Sequence, residues 1–210
     1  MFYDPRENVR PAPLTHNPIN ALVAPRPIGW IGSLSVAGKE NLAPFSYFNV
    51  FSADPPVVAF APNAKQSDGG PKDTLANVRA VPEFTASIVS EPLVQQMNET
   101  SRVLDHGVSE FAQAGLTSAP SSKVRPPHVG EALAVLECVV FDIVALPARQ
   151  GGRGSHLVIG EVIGIHIDDA LIVEGKLQTL GLQQVARLGS FDYTVVRELF
   201  EIHGPTDPPD

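Results

Sequence analysis

The sequence predicts a mainly β protein, an antiparallel barrel with a few short helices. The 210 residues include 20 prolines and 17 glycines, and both residue types break helices. Two long runs, 133–146 and 155–167, are rich in β-branched residues and flank a glycine-rich turn. The helical patterns between strand-like runs are few and short, which favours a closed antiparallel barrel over a doubly wound parallel sheet.

The elements follow in order. Residues 1–20 are polar and proline-rich and read as an arm on the surface or on a partner. Residues 28–35 read as a strand, ending at the turn Ala37-Gly38-Lys39. Pro55-Pro56 opens a short apolar run, 57–61, suited to a buried strand, and 63–71 is a loop without an apolar anchor. A helix is expected over 73–79, where Asp73 or Thr74 can cap and Leu75 and Val78 share one face. Residues 84–89 form a strand, and Ser90 is positioned to cap a second helix with Pro92 in its first turn. Residues 101–127 are mostly loop, with a short helix near 109–114. Residues 133–146 and 155–167 pair as a long hairpin through the turn 149–154, RQGGRG. Residues 191–200 pair late, and 204–210, proline and acid, form a disordered tail. Without a repeat or a break in composition, 21–203 reads as one domain.

Composition narrows the function. A net charge of −8 opposes binding to nucleic acid phosphates. The chain has one cysteine, Cys138, so an internal disulfide is not possible. The opening MFYDPREN has neither the basic nor the apolar region of a secretory leader. The longest apolar stretch, 132–146, is interrupted by Glu137 and Asp142 and is short for a membrane span. A cytoplasmic protein, neither in a membrane nor on nucleic acid, is expected.

The usual chemical signatures are missing. The sequence contains no G-x-G-x-x-G after a strand, no P-loop and no H-E-x-x-H, and its six histidines are not in metal-ligand spacing. Two segments remain. Residues 41–49, NLAPFSYFN, interleave two asparagines and a serine with three aromatics. They suit either a turn with packing aromatics or a wall for a flat heteroaromatic ring. Lys72-Asp73-Thr74 opens the helix over 73–79. It suits either a plain cap or a phosphate site built on helix N–H groups.

The run PRPIGWIGSLSVAGKENLAPFSYFNVFSADPPVVAFAP, followed by KDTLANV, resembles the flavin reductase-like family with its FMN-binding split barrel. It is most similar to the branch of the small reductase component of nitrilotriacetate monooxygenase. NETS at 98–101, AGLTSAP at 114–120, HLVIGEV at 156–162 and RLGSFDYT at 187–194 extend the resemblance to about residues 20–200. Ser190 departs from the pattern, standing where many relatives have a second glycine.

The resemblance implies a homodimer with FMN at the subunit interface and hydride transfer from NAD(P)H to the flavin. It also implies a partner monooxygenase supplied with reduced FMN. Carried over by position, Ser33 and Ser35 lie near the isoalloxazine, and Asn41, Ala43 and Ser46 fall in the flavin-binding segment. Lys72, Asp73 and Thr74 match the ribityl-phosphate end, and His156 and Arg187 match positions near the pocket. No catalytic side chain is named, because the cofactor carries the chemistry. The alternatives are a flavin carrier or sensor without turnover, and an oxidase of an organic substrate. The RQGGRG turn could reach a nicotinamide nucleotide phosphate or simply be a solvated hairpin.

Overall fold

The long hairpin organises the fold. In the computed structural model, which describes residues 1–7, 9–62, 73–102, 108–148 and 154–202, strands Ala134–Leu146 and Ser155–Ile167 pair over their whole length. Five shorter strands complete the sheet. In chain order the seven are β1 (Gly29–Leu34), β2 (Glu40–Phe45), β3 (Phe48–Ala53), β4 (Pro56–Phe60), β5 (Glu83–Ile88), β6 (Ala134–Leu146) and β7 (Ser155–Ile167). Their spatial order is β2-β1-β5-β6-β7-β4-β3, antiparallel throughout. The two edge strands, β2 and β3, are consecutive in sequence and joined by Ser46-Tyr47. The sheet therefore curls until its edges meet at a covalent link instead of a ladder, which is a split barrel. Pro44, which cannot donate to a ladder, is tolerated because β2 is an edge.

One apolar cluster fills the barrel. Phe45, Phe60 and Phe84 meet with ring centroids 5.3 and 5.2 Å apart. Ile31, Val58, Val158 and Val162 surround them. Gly160 lies against the Phe84 ring, where a Cβ would come within 2.5 Å, so only glycine fits at this irregularity of the β6–β7 ladder. Helix α2 (Asp73–Ala80) contributes Leu75 and Val78 to the same cluster. A second cluster lies on the opposite face of β1 and β2. There Trp30 and Leu42 pack with Met97 of α3 (Val94–Glu99) and Phe111 of α4 (Glu110–Gln113). Trp30 Nε1 donates to Thr100 Oγ1 at 2.8 Å.

A small sheet of Arg26–Pro27, Val185–Arg187 and Tyr193–Val195 flanks this second cluster. Arg26 and Arg187 are direct cross-strand partners. The short helix α1 (Ile19–Leu22) is tied to this sheet by Arg26, whose Nη1 donates to the carbonyls of Asn20 and Val23.

Elsewhere a buried carboxylate fastens a loop. Glu137 on β6, fully buried, accepts from Ser122 N (2.7 Å), Lys123 N (2.6 Å) and Val124 N (3.1 Å), and pairs with His166 of β7. Burial pushes its pKa up, but the bond to His166 and the three N–H donors outweigh this and hold it below the ordinary carboxylate value. The His128 and His166 rings stack at 4.9 Å. Burial, and then the neighbouring His166, lower the His128 pKa against the pull of Glu137.

Several expectations change. Residues 41–45 are the body of β2 and 48–49 the start of β3, so only Ser46-Tyr47 is a connecting turn. Both faces of β2 are covered, so the run lacks the two-residue hydrophobic alternation that marks a half-buried strand. Ser90 makes no side-chain cap. Its backbone bridges Gln184, and a 3-10 turn, Glu91–Leu93, precedes α3. The late strand shrinks to Tyr193–Val195 and joins the small sheet, not the barrel. Cys138 is buried in β6, and burial raises its thiol pKa far above the usual range, so it acts as a small apolar side chain.

Candidate functional site

The residues singled out in sequence fall into three places. The first is a buried neutral network between the barrel and α2. Ser33 and Asn41 are direct partners across β1 and β2. Asn41 Nδ2 donates to Ser33 Oγ at 3.2 Å and to Thr74 Oγ1 at 3.0 Å. Asn77 Nδ2 also donates to Ser33 Oγ, at 3.1 Å. Both acceptor positions of the Ser33 hydroxyl are thus filled, leaving it one proton to donate. Asn77 was not singled out in sequence. Its signal was its spacing, since it stands three residues after Thr74 and so shares its helical face.

Ala43 lies on the same side of β2 as Asn41 and packs against the barrel cluster. Asp73 is the first residue of α2. Lys72 and residues 149–153 lie outside the described residues. Ser35 closes the β1–β2 turn, its Oγ accepting from Lys39 N at 2.9 Å. Glu110 at the start of α4 borders this network, accepting from Leu42 N on the open edge of β2 at 3.2 Å. Burial raises the Glu110 pKa, N–H donors partly oppose it, and nearby Asp73 raises it further.

The second place is a cavity of about 150 Å³ on the other face of the sheet. Ile28, Pro44 and Met97 form its apolar wall, and Ser46, Asn98, Ser101, Arg187 and Tyr193 its polar one. Strand geometry explains the split. Side chains alternate along β2, so the segment from Asn41 to Ser46 serves both faces instead of forming one wall. Arg187 is held over the Tyr193 ring, 4.3 Å from its centroid, and donates to the Tyr193 hydroxyl and the Ser190 carbonyl. Ser190 adopts a left-handed conformation, φ 47°, at the position where the family pattern carries glycine.

The third place is the end of α2, where Arg79 Nη2 donates to His156 Nε2 at 2.7 Å. His156 thus joins β7 to α2, apart from the other two groups. Among the described residues, no cluster of three or more His, Cys, Asp or Glu side chains is arranged to hold a metal, and no helix is long and apolar enough to cross a membrane.

Comparison with known proteins agrees with this architecture. The sequence profile of the flavin reductase like domain matches residues 23–181. The fold is similar to nitrilotriacetate monooxygenase component B from Bacillus cereus, with TM-score 0.82 and 31% identity over 92% of this chain and all (100%) of that one. It is also similar to a 2-nitrobenzoate 2-nitroreductase from Pseudomonas fluorescens, with TM-score 0.77 and 27% identity over 91% of each chain. An uncharacterized protein of Halalkalibacterium halodurans is 36% identical over 88% of both chains.

Proposed function

The chain belongs to the flavin reductase-like domain family, and on that premise we propose that it is an NAD(P)H:FMN oxidoreductase that supplies reduced FMN to a monooxygenase. The observation that carries this reading is the Ser33–Asn41–Thr74–Asn77 network, which lies within the two segments that carry the family resemblance. It presents hydroxyl and amide groups without a charged side chain, which suits the polar edge of a neutral ring system. Bound there, FMN would take a hydride from NAD(P)H and pass the electrons on.

In this reading the chain's own residues bind and orient. Asn41 and Ser33, locked in each other's hydrogen bonds, hold a rigid polar edge, and Ala43 keeps the neighbouring position small. Thr74 and the N–H groups at the start of α2, with Asp73 and Lys72, receive the phosphate. Ser35 sets the β1–β2 turn. The nicotinamide needs no site of its own beyond the open flavin face, consistent with the lack of a dinucleotide-binding motif.

We extend the reading to a cytoplasmic homodimer. Val50 and Phe51 on β3, Phe141 on β6 and Ile165 on β7 are large apolar side chains each at least 60% exposed. A second copy covering these side chains would bury them and could wall in a flavin lying outside a barrel already filled by its own side chains.

The test is the visible spectrum of the purified protein with FMN, before and after NADH or NADPH under anaerobic conditions. Bleaching of the flavin bands with turnover on re-aeration is expected. Flavin binding without bleaching by either nucleotide favours the carrier reading, and peroxide formation from an organic substrate without nucleotide favours an oxidase. Lys72→Ala should weaken FMN by about 1.5–3 kcal/mol and leave riboflavin, which lacks the phosphate, nearly unchanged. Equal loss for both ligands would place the phosphate elsewhere. Sedimentation should show a dimer with up to two flavins.

A further inference from the structure

The loop 121–127 lies against β1, β5 and β6, and side chains hold it there. Among the described residues, no backbone–backbone hydrogen bond ties 121–126 to these strands. Glu137 of β6 accepts from the N–H groups of Ser122, Lys123 and Val124. Glu83 of β5 accepts from Arg125 N at 2.8 Å and pairs with its guanidinium at 3.0 Å. Thr85 Oγ1 donates to the Pro127 carbonyl at 2.7 Å. That carbonyl sits so close to Gly32 of β1 that a Cβ there would come within 2.3 Å of it. The loop runs directly into His128, whose ring stacks on His166 of β7. We propose that the loop is an acid-opened flap, in which charging His128 releases residues 121–127 from the sheet while the barrel stays folded.

The geometry leaves no place for a charge on His128. A carboxylate only accepts, so His166 Nε2, which bonds Glu137, carries a proton. Glu137 Oε1 takes Ser122 N and His166, and Oε2 takes Lys123 N and Val124 N. These four donors match the carboxylate's four lone-pair sites. A proton added to His128 therefore gains no carboxylate bond. It meets the face of the His166 ring, 4.9 Å between centroids, and Ser121 Oγ, 3.5 Å from Nδ1.

The charged groups around His128 are His166 from β7 and Glu137 from β6, with Lys123 and Arg125 in the loop itself, the latter paired with Glu83 of β5. Burial, then His166, lower the His128 pKa against the attraction of Glu137. Opening the loop sheds both penalties, so the open form binds the proton more tightly and falling pH shifts the population toward it. Neither apolar cluster draws a residue from 121–127, so the loop can leave without dismantling the core. Water admitted by the opening replaces the N–H donors at Glu137.

Hydrogen exchange of the full-length protein, read at each amide by NMR and corrected for the intrinsic effect of pH, tests the proposal. From about pH 7.5 to about pH 5, a window that spans the ordinary histidine value, protection at Ser122, Lys123 and Val124 should fall at least about tenfold. The amides of the β6–β7 ladder should keep theirs. His128→Gln, polar but unable to charge, should keep the loop protected at both values. In the wild type the His128 ring should titrate with the same midpoint as the loop amides, a measurement that stands even if the variant fails to fold. Loop protection that survives acidification, the same fall in His128→Gln, or separate midpoints for ring and loop overturns the proposal. An equal fall in loop and ladder means that the whole barrel unfolds, and overturns it as well. The inference does not rest on the flavin reading, and the series is run without FMN so that neither result depends on the other.

Discussion

Two of the polar centres buried among the described residues differ in kind. At Glu137 a fully buried charge has its oxygens occupied by three backbone N–H groups and His166, all within the chain. At Asn41 the groups are neutral, the bonds run between side chains, and Ser33 keeps a proton to give. A saturated charged centre can only hold structure, here the loop 122–124 against β6. A neutral centre with an unspent donor can exchange partners with a ligand at modest cost, since no charge must be desolvated again. The difference teaches that burial and hydrogen bonding alone do not mark a site. What marks it is bonding capacity left over once the fold is satisfied.

The sharpest way to break the comparison is at the charged centre. Glu137→Gln removes the charge and turns an N–H₂ toward N–H donors, and should destabilise by about 3–5 kcal/mol in a denaturant titration. Flavin affinity in the surviving fold should stay near wild type. A stable variant with impaired flavin binding would reverse the roles of the two centres.

At the neutral centre, Asn41→Leu should cost about 1–3 kcal/mol of stability through the bonds lost at Ser33 and Thr74, and should also weaken FMN. Ser46→Val, outside the network, should change stability by no more than about 0.5 kcal/mol. If the two variants are equally stable, the network is not a structural unit.

Acidity separates the centres by sign. Glu137 has a lowered pKa in the fold, so the stability it contributes is present above the ordinary carboxylate value of 4.5 and is lost as pH falls through the folded value. His128, also lowered, is neutral in the fold, and charging it below its ordinary 6.5 costs stability in the same direction. Glu110 beside the neutral network has a raised pKa, so its protonation on acidification favours the fold. Thermal midpoints from neutral to acid pH should fall in the wild type, and His128→Gln should remove the upper part of that fall. In Glu110→Gln the fall should be steeper, because the compensating group is gone.

The smallest effect concerns the second cavity. Ser190→Gly should stabilise by about 0.5–1 kcal/mol, the relief of a left-handed conformation less the entropy of glycine. A loss on thermal unfolding would mean that the serine makes a contact worth more than its strain.

How much was legible divides along the same line. The sequence alone determined the β class, the 155–167 strand to the residue, the strands near 28–35, 57–61 and 84–89, and the helix at Asp73, because turn residues and β-branched runs are local signals. It also brought Ser33, Asn41 and Thr74 forward through the family resemblance. Only the tertiary structure decided that residues 41–45 are a strand, since an edge strand covered on both faces has no periodicity to read. Only the tertiary structure divided the segment from Asn41 to Ser46 between two faces of the sheet, set Arg26 against Arg187 across 161 positions of chain, and enclosed Glu137. Pairing register and burial arise from contacts distant in sequence, and no local pattern of residues encodes which strand a side chain will meet.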